Sequence, residues 1–326
     1  MEDQDNSNKR ENPYLSNSLP LNKRQHVTLK PHTKSEDATS DLLGRKTGIH
    51  LAPPQKPTTT RQREKYIYGN YTNYYKTRRN DANKLDPRLS LLNTSLFKDK
   101  NVLDIGCNSG NITIVIGQQC KPRHILGVDI DDRLIAQART LLRTTYSLQQ
   151  PNINIDNDDS KPLSVDVKLQ THYFPRSMVT MFGFMSTNMP PSYKNHDFPY
   201  NTSFQEGDWL NMDIKENEYD TILALSITKW IQLHRGDQGI KDFFQRVYQS
   251  LKPGGVLVLE PQTFKSYERR AKGSEEMTDI LDKIKFKPED YDDYLMKEVG
   301  FKVVTPLGTP NTDSKGFSRP LYLYTK

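Results

Sequence analysis

Cysteine, long apolar runs and apolar residues in general are scarce in this chain of 326 residues. Its two cysteines, Cys107 and Cys120, are too few for a structural zinc site or a disulfide framework, which favours a reducing environment. Residues 1–10 are polar, and no apolar run approaches the roughly 20 residues that a membrane helix needs. We therefore expect a soluble protein of the cell interior, with no secretory leader and no membrane span.

Two common catalytic patterns are also missing. The seven histidines show neither the H-x-x-x-H nor the H-E-x-x-H spacing of a metal site, so we predict no metal. The G-x-S-x-G turn of a serine hydrolase is absent as well. Cys107 lies inside a glycine-rich turn that suits a small side chain, and we interpret it as a packing residue rather than a nucleophile.

The composition indicates that part of the chain is unfolded. Only 34% of the residues are hydrophobic and the mean hydropathy is −0.80, which is low for a chain that folds throughout. Residues 1–60 are predicted to form a disordered basic arm, and 149–201 a largely disordered insertion rich in Asn, Asp and Pro. The folded domain is predicted to span 61–326. A net charge of +6 and a pI of about 9.0 favour a polyanionic partner.

Strands and helices alternate along the folded part of the chain. Apolar runs and turn signals predict strands at 101–105, 124–129, 202–206, 221–225 and 256–259. Helices are predicted at 111–118, 132–146, 239–251 and 288–299, and a final strand pair at 301–305 and 321–324. The predicted fold is therefore α/β, with a Rossmann-like, seven-stranded mixed sheet that ends in an antiparallel pair.

The turn after the first strand carries a ligand-binding pattern, D-x-G-C-x-x-G. Gly106 and Gly110 have no Cβ, so the main chain can take a positive φ and a ligand can approach it closely. Asp129 ends the next strand, where an acid accepts hydrogen bonds from ribose hydroxyls. With one glycine fewer than G-x-G-x-x-G, the spacing favours S-adenosylmethionine over a dinucleotide. The alternative is an ordinary glycine-rich turn of a doubly wound sheet.

Two segments combine aromatic rings with cations. Residues 66–79 hold five tyrosines before a cluster of cations, which suits stacking on unpaired bases, or alternatively a helix that covers the sheet edge. Lys229 and Trp230 follow the fourth predicted strand, where a lysine suits an anionic acceptor such as phosphate. The alternative there is a solvated lysine beside a packed indole. Two further basic segments, 260–272 with Arg269 and Arg270 and 312–320, are predicted to be loops at strand ends and give weaker signals.

Six segments together resemble the Bicoid-interacting family of methylphosphate capping enzymes. The resemblance runs from about residue 66 to 326 without the insertion, and the Thr-Lys-Trp and Ser-Lys-Gly-Phe segments are its most specific parts. The segments are G-N-Y-x-x-Y-Y (69–75), D-I-G-C-N-x-G (104–110), V-D-I-D-x-R-L-I (128–135), L-S-I-T-K-W (225–230), R-x-x-x-x-L-x-P-G-G-x-L-V-L-E-P-Q (246–262) and T-x-S-K-G-F-x-R-P-x-Y (312–322).

This resemblance implies methyl transfer from S-adenosylmethionine to the 5′ γ-phosphate of a small non-coding RNA with a 5′ triphosphate end. It implies that Tyr74, Arg78 and Lys229 hold the phosphate, and that Lys315, Phe317 and Arg319 bind the first nucleotides. A nuclear location and ribonucleoprotein partners, such as La-related proteins, are also implied. The implied cofactor-binding residues are Tyr75, Arg88, Gly106, Cys107, Asn108, Asp129, Ile130, Gly207, Asp208 and Leu225.

Two other functions remain open at this point. The same site could retain an RNA end without turnover, as a scaffold or chaperone of a small ribonucleoprotein, and label transfer from the methyl donor separates the two. The second is methyl transfer to a protein or a small molecule, and the Lys229–Trp230 pair argues against it.

Overall fold

In the computed structural model, all described residues fall within the unit Arg61–Lys326. The predicted arm, residues 1–60, lies outside the described residues, and so does much of the predicted insertion. The described residues are 66–71, 74–75, 85–149, 175–188, 196–311 and 317–326.

Seven strands form a single mixed sheet, as the sequence predicted. They run in the spatial order β3-β2-β1-β4-β5-β7-β6. Strands β1 to β5 are parallel, and β7 pairs antiparallel with both β5 and β6. The bounds are β1 Asn101–Ile105, β2 His124–Asp129, β3 Thr202–Glu206, β4 Tyr219–Leu225, β5 Leu251–Glu260, β6 Val303–Gly308 and β7 Leu321–Thr325.

Seven helices are seen in the described part of the chain. The last of them continues directly as a wider π-helical turn at Leu295–Val299. None of them is long and apolar enough to cross a bilayer. The helices are α1 Asn111–Gln119, α2 Asp132–Ser147, α3 Arg176–Phe182, α4 Thr228–Ser250, α5 Phe264–Ala271, α6 Glu275–Leu281 and α7 Tyr291–Tyr294.

Strand β1 marks the point where the strand order reverses. It pairs with β2 on one side and with β4 on the other, so the segments that follow β1 and β4 leave the sheet in different directions. A crevice opens between them at the carboxyl ends of the strands, which is where open α/β sheets bind ligands.

Several element bounds differ from the predictions. Helix α4 begins at Thr228 rather than at 239, because it continues through a kink at Gly236, whose φ is +65°. Strand β5 begins at Leu251 rather than at 256, and the basic segment after it folds into α5 instead of a loop. Helix α3 lies within the predicted insertion, where no helix was predicted.

Apolar side chains cover both faces of the sheet. Phe243, Phe244 and Val247 of α4 are fully buried against one face. Ile112 and Ile116 of α1 are buried against the other. Burial on both faces explains why the central strands are continuously apolar rather than alternating.

The Phe244→Ala substitution tests this core. Phe244 is 0% exposed, and its ring centroid lies 5.5 Å from that of Phe243 and 5.0 Å from that of Tyr291. Removing the ring should lower the free energy of unfolding by about 3–5 kcal/mol. The control is Phe182→Ala on α3, where the ring is 72% exposed, and it should change stability by about 0.5 kcal/mol or less. If urea denaturation showed an equal loss of unfolding free energy in the two variants, this assignment of the core would be contradicted.

Candidate active site

A cavity of about 690 Å³ opens at the carboxyl ends of β1 and β4. This volume lies within the range of small-molecule and cofactor sites in proteins. Most of the predicted site residues line it: Tyr74, Tyr75, Arg88, Gly106, Asn108, Asp129, Ile130, Gly207, Asp208, Leu225, Lys229, Phe317 and Arg319.

Three predicted site residues are not among the lining residues. Cys107 is 1% exposed, and its side chain packs with Ile114 and Phe204 beneath the glycine turn, so the side chain does not line the cavity. Its carbonyl accepts a hydrogen bond from the Tyr75 hydroxyl at 3.4 Å. Arg78 and Lys315 lie outside the described residues.

The glycine turn after β1 is held in an unusual backbone conformation. Gly106 has a φ of +73° and Asn108 a φ of +52°. A Cβ at Gly106 would lie 2.3 Å from Cγ2 of Ile227, so no side chain fits there. The Asn108 amide donates to a carboxylate oxygen of Asp129 at 2.8 Å, which ties the turn to the end of β2.

Asp129 is a buried carboxylate at the rim of the cavity. The backbone N–H groups of Asn108 and Asp131 donate to its two oxygens at 2.8 and 3.0 Å. Burial raises the pKa of Asp129 to about 6, against the opposing effect of these hydrogen bonds. The group is therefore ionised at neutral pH and keeps lone pairs for hydroxyl donors, as a ribose-binding acid requires.

Arg88 is 1% exposed and forms two buried ion pairs. Its Nε and Nη2 donate to the two oxygens of Asp86, each at 2.9 Å. Its Nη1 donates to Glu260 at 2.9 Å, and its guanidinium lies 5.9 Å from the centre of the Tyr74 ring. The fixed fork geometry of the guanidinium therefore joins the segment before β1 to the end of β5.

The turn after β4 depends on side chains from the end of β5. Ser226 has a φ of +63°, which is costly for a residue with a side chain. Its hydroxyl donates to Glu260, and the side-chain amide of Gln262 donates to its carbonyl. The Gln262 oxygen accepts from the Thr228 hydroxyl at 2.8 Å and from the Lys229 backbone N–H at 3.1 Å. These contacts hold the first residues of α4 in place.

Glu260, Gln262 and Ser226 were not predicted as site residues. The signal was present, because the E-P-Q segment follows a predicted central strand and strand ends meet at the ligand-binding edge. The sequence shows that polar side chains lie at that edge, but it does not show which residues they form hydrogen bonds with. Arg319 also contacts this group, since its Nη1 donates to the Ser226 hydroxyl at 2.8 Å.

Cations gather around Trp230 at one end of the cavity. The Lys229 ammonium lies 4.7 Å from the centre of the indole, and the Arg270 guanidinium lies 5.6 Å from it. Burial lowers the pKa of Lys229 to about 8, and the positive charges of Arg319, Arg270 and Arg269 act in the same direction. This half-buried group of like charges is suited to a multiply charged anion.

The tyrosine-rich segment packs partly in the core and partly at the cavity. Tyr75 is buried in the core, whereas Tyr74 is half-buried with its ring centroid 5.7 Å from that of Phe317. The Tyr71 and Trp230 rings pack edge to face, with their centroids 5.9 Å apart. Gly69 lies so close to Trp230 that a Cβ there would come within 2.1 Å of the ring. The segment thus covers the sheet edge and also presents rings to the cavity.

Comparisons with known proteins show the family of this chain. The sequence model of the Bicoid-interacting protein 3 family matches residues 219–326, and a methyltransferase-domain model matches 103–185. The chain is 36% identical over 279 residues to the 7SK snRNA methylphosphate capping enzyme of Homo sapiens, a match that covers 82% of this chain and 40% of that protein.

Two further relatives are matched over most of their length. One is the U6 snRNA methylphosphate capping enzyme Amus of Drosophila melanogaster, 36% identical over 264 residues, with 80% of this chain and 75% of the relative covered. The other is a probable RNA methyltransferase of Arabidopsis thaliana, 35% identical over 268 residues, with 82% of each protein covered. The chain therefore spans less than half of the human relative and most of the fly and plant relatives.

The Gly106→Ala substitution tests the glycine turn. Gly254→Ala is the matched control, because Gly254 has nearly the same φ, +74°, but a Cβ there meets nothing within 4 Å. Both variants carry a backbone strain of about 1–2 kcal/mol. Only Gly106→Ala should also displace Ile227 in the cavity wall and weaken the binding of S-adenosylhomocysteine, by about tenfold or more in calorimetry. If the two variants bound S-adenosylhomocysteine with equal affinity, the assignment of the glycine turn to the binding site would be contradicted.

Replacing Lys229 with methionine should stabilise the fold. The pKa of Lys229 is about 8 in the folded protein and near 10.5 when the residue is exposed, so the unfolded chain binds more protons between those values. Stability therefore rises with pH across that window, and the penalty is complete below pH 8. Lys229→Met should gain on the order of 3 kcal/mol at pH 7, because the pKa is lowered by about 2.5 units and each unit corresponds to about 1.4 kcal/mol.

That gain should shrink as the pH is raised from 8 towards 10, as measured by urea denaturation of both proteins. A gain that is constant across this range, or a loss at pH 7, would show that the lysine carries no electrostatic penalty.

Proposed function

Because this chain belongs to the Bicoid-interacting family of methylphosphate capping enzymes, we propose that it transfers a methyl group from S-adenosylmethionine to the 5′ γ-phosphate of a small non-coding RNA. The fly and human relatives carry the name of this activity, and the chain shares more than a third of its residues with each over the matched region.

The observation that carries the proposal is the charge distribution in the cavity. The ionised carboxylate of Asp129 lies at the glycine turn, and a group of cations around Trp230 lies at the other end. A sulfonium donor that carries a ribose needs a hydrogen-bond acceptor, and a phosphate acceptor that carries several negative charges needs cations. One cavity that supplies a carboxylate and a group of cations can therefore hold both substrates together.

The residues at the glycine turn fit the methyl donor. Gly106 has no room for a side chain, and Asp129 offers lone pairs to hydroxyl groups, as a nucleoside-binding turn needs. We assign the donor to Tyr75, Arg88, Asn108, Asp129 and the neighbouring lining residues Gly106, Ile130, Gly207, Asp208 and Leu225. The bound donor supplies a methyl group on a positively charged sulfur.

The chain's own task is to position the acceptor phosphate. A phosphate oxygen is already anionic near neutral pH, so no strong general base is needed. We assign Lys229, together with Tyr74 and Arg78, to the oxygens that do not react, and Phe317, Arg319 and Lys315 to the first nucleotides. Gln262 and Ser226 fix the turn that carries Lys229, which limits the orientations that the phosphate can take.

Location and partners extend the same proposal. The human and fly relatives are named for small nuclear RNAs, which supports action in the nucleus on a small non-coding RNA with a 5′ triphosphate end. We also propose that ribonucleoprotein proteins, such as La-related proteins, share this RNA. The basic arm, residues 1–60, is proposed as a further RNA contact beside a methyltransferase domain at 61–326.

The Lys229→Ala substitution tests the proposed reaction. Methyl transfer from labelled S-adenosylmethionine to triphosphate-ended RNA should fall at least about 100-fold, because the cation that orients the acceptor is lost. Binding of S-adenosylhomocysteine should remain within about twofold, since Lys229 is not assigned to the donor. The control is Lys302→Ala, which removes the same charge from an exposed position before β6.

Undiminished transfer by Lys229→Ala would remove the assigned role of this residue. Absence of label transfer by the unmodified protein, in spite of tight RNA binding, would instead indicate a scaffold.

A further inference from the structure

Helix α5 is firmly anchored beside the cation group. Tyr267 and Ala271 are buried and pack with Leu233 of α4 and Met277 of α6. The Tyr267 hydroxyl lies 3.1 Å from that of Tyr291. One face of α5 is thus fixed to the core, and the adjoining face is directed towards the cavity.

Ser266 and Arg270 lie on this adjoining face, one helical turn apart, and both line the cavity. The Ser266 hydroxyl oxygen and the Arg270 Nε are buried, and neither has a hydrogen-bond partner in the described part of the chain. Buried donors are nearly always paired in native proteins, and an unpaired one is costly. Two neighbouring donors that lack an acceptor indicate a ligand rich in acceptor oxygens.

The guanidinium of Arg270 is held where it is by weak contacts. It lies 5.6 Å from the centre of the Trp230 ring, and its Nη2 donates to the Tyr66 carbonyl at 3.3 Å. This bond is long and its acceptor is neutral, whereas phosphate oxygens form shorter, charge-assisted bonds. An entering phosphate would therefore replace the Tyr66 carbonyl, and a shift of the side chain would expose its Nε.

Arg270 is also close enough to Lys229 to act on it electrostatically. Its charge helps to lower the pKa of Lys229, and both cations lie at the same indole. A phosphate bound at Lys229 would therefore have Arg270 near it, and Ser266 lies one helical turn from Arg270 in the same cavity wall. A chain of two phosphates has acceptor oxygens on both phosphorus atoms, so it can bind Lys229 and Arg270 at the same time.

We propose that Ser266 and Arg270 form a second phosphate subsite, which binds the phosphate next to the one that Lys229 holds. This inference rests on the proposed function and deepens it, because it makes α5 the element that distinguishes a phosphate chain from a single terminal phosphate. Ser266 donates its hydroxyl hydrogen, and Arg270 donates from Nε and supplies charge.

The test measures binding of tripolyphosphate and of orthophosphate by calorimetry, with the full chain saturated with S-adenosylhomocysteine. The unmodified protein should bind tripolyphosphate at least about tenfold more tightly than orthophosphate. Arg270→Gln should remove most of this preference, and Ser266→Ala should reduce it by about threefold or more. Affinity for orthophosphate should change by about twofold or less in both variants.

Three further variants complete the design. Arg123→Gln removes an exposed charge just before β2, at the opposite edge of the sheet, and should leave both affinities unchanged. Ser266→Thr keeps the hydroxyl and should restore the preference. Lys229→Ala should weaken the binding of both anions.

Equal loss of both affinities in Arg270→Gln and Ser266→Ala would overturn the subsite, and so would an unmodified protein without preference for the longer anion. A purely structural role of Arg270 would lower donor binding or stability without changing the ratio of the two affinities. Because no methyl transfer is measured, failure of the proposed reaction appears separately, in the labelling assay on RNA.

Discussion

The arrangement of the site depends on one buried carboxylate, that of Glu260 at the end of β5. Glu260 is 0% exposed and accepts hydrogen bonds from Arg88 and from the Ser226 hydroxyl. Through Arg88 it holds the segment that precedes β1, and through Ser226 it holds the turn that leads to Lys229. A buried charge is tolerated only with full compensation, so each partner is constrained by the others.

This constraint explains how one cavity can keep opposite charges at its two ends. The acidic end is tied to the glycine turn by the bond from Asn108 to Asp129, and the cationic end is tied to β5 through Gln262. Arg88 is neutralised by two carboxylates, those of Asp86 and Glu260. Because Arg88 pairs with these two carboxylates, the positive charge of the cations at Trp230 remains available to an anion.

The sequence predicted the architecture well and the site in part. Strands β1, β2 and β3 have the predicted bounds, because apolar runs and turn residues are local signals. The start of α4 was wrong by about three turns, since Gly236 is tolerated at a kink once the flanking residues are buried. Arg269 and Arg270 were identified as basic residues of a loop, but the amphipathic pattern of α5 is too short to distinguish from a charged loop.

The sequence by itself determined the doubly wound sheet, the glycine turn and the acid that ends β2, because each depends on residues close together in the chain. It also supplied the resemblance on which the proposed role of Lys229 rests. Only the tertiary structure decided which groups face one another: that Glu260 joins Arg88 to Ser226, that Cys107 packs beneath the turn, and that Ser266 and Arg270 line the same cavity as Lys229. These relations connect residues far apart in sequence, and they arise only when parallel strands bring their carboxyl ends to one edge of the sheet.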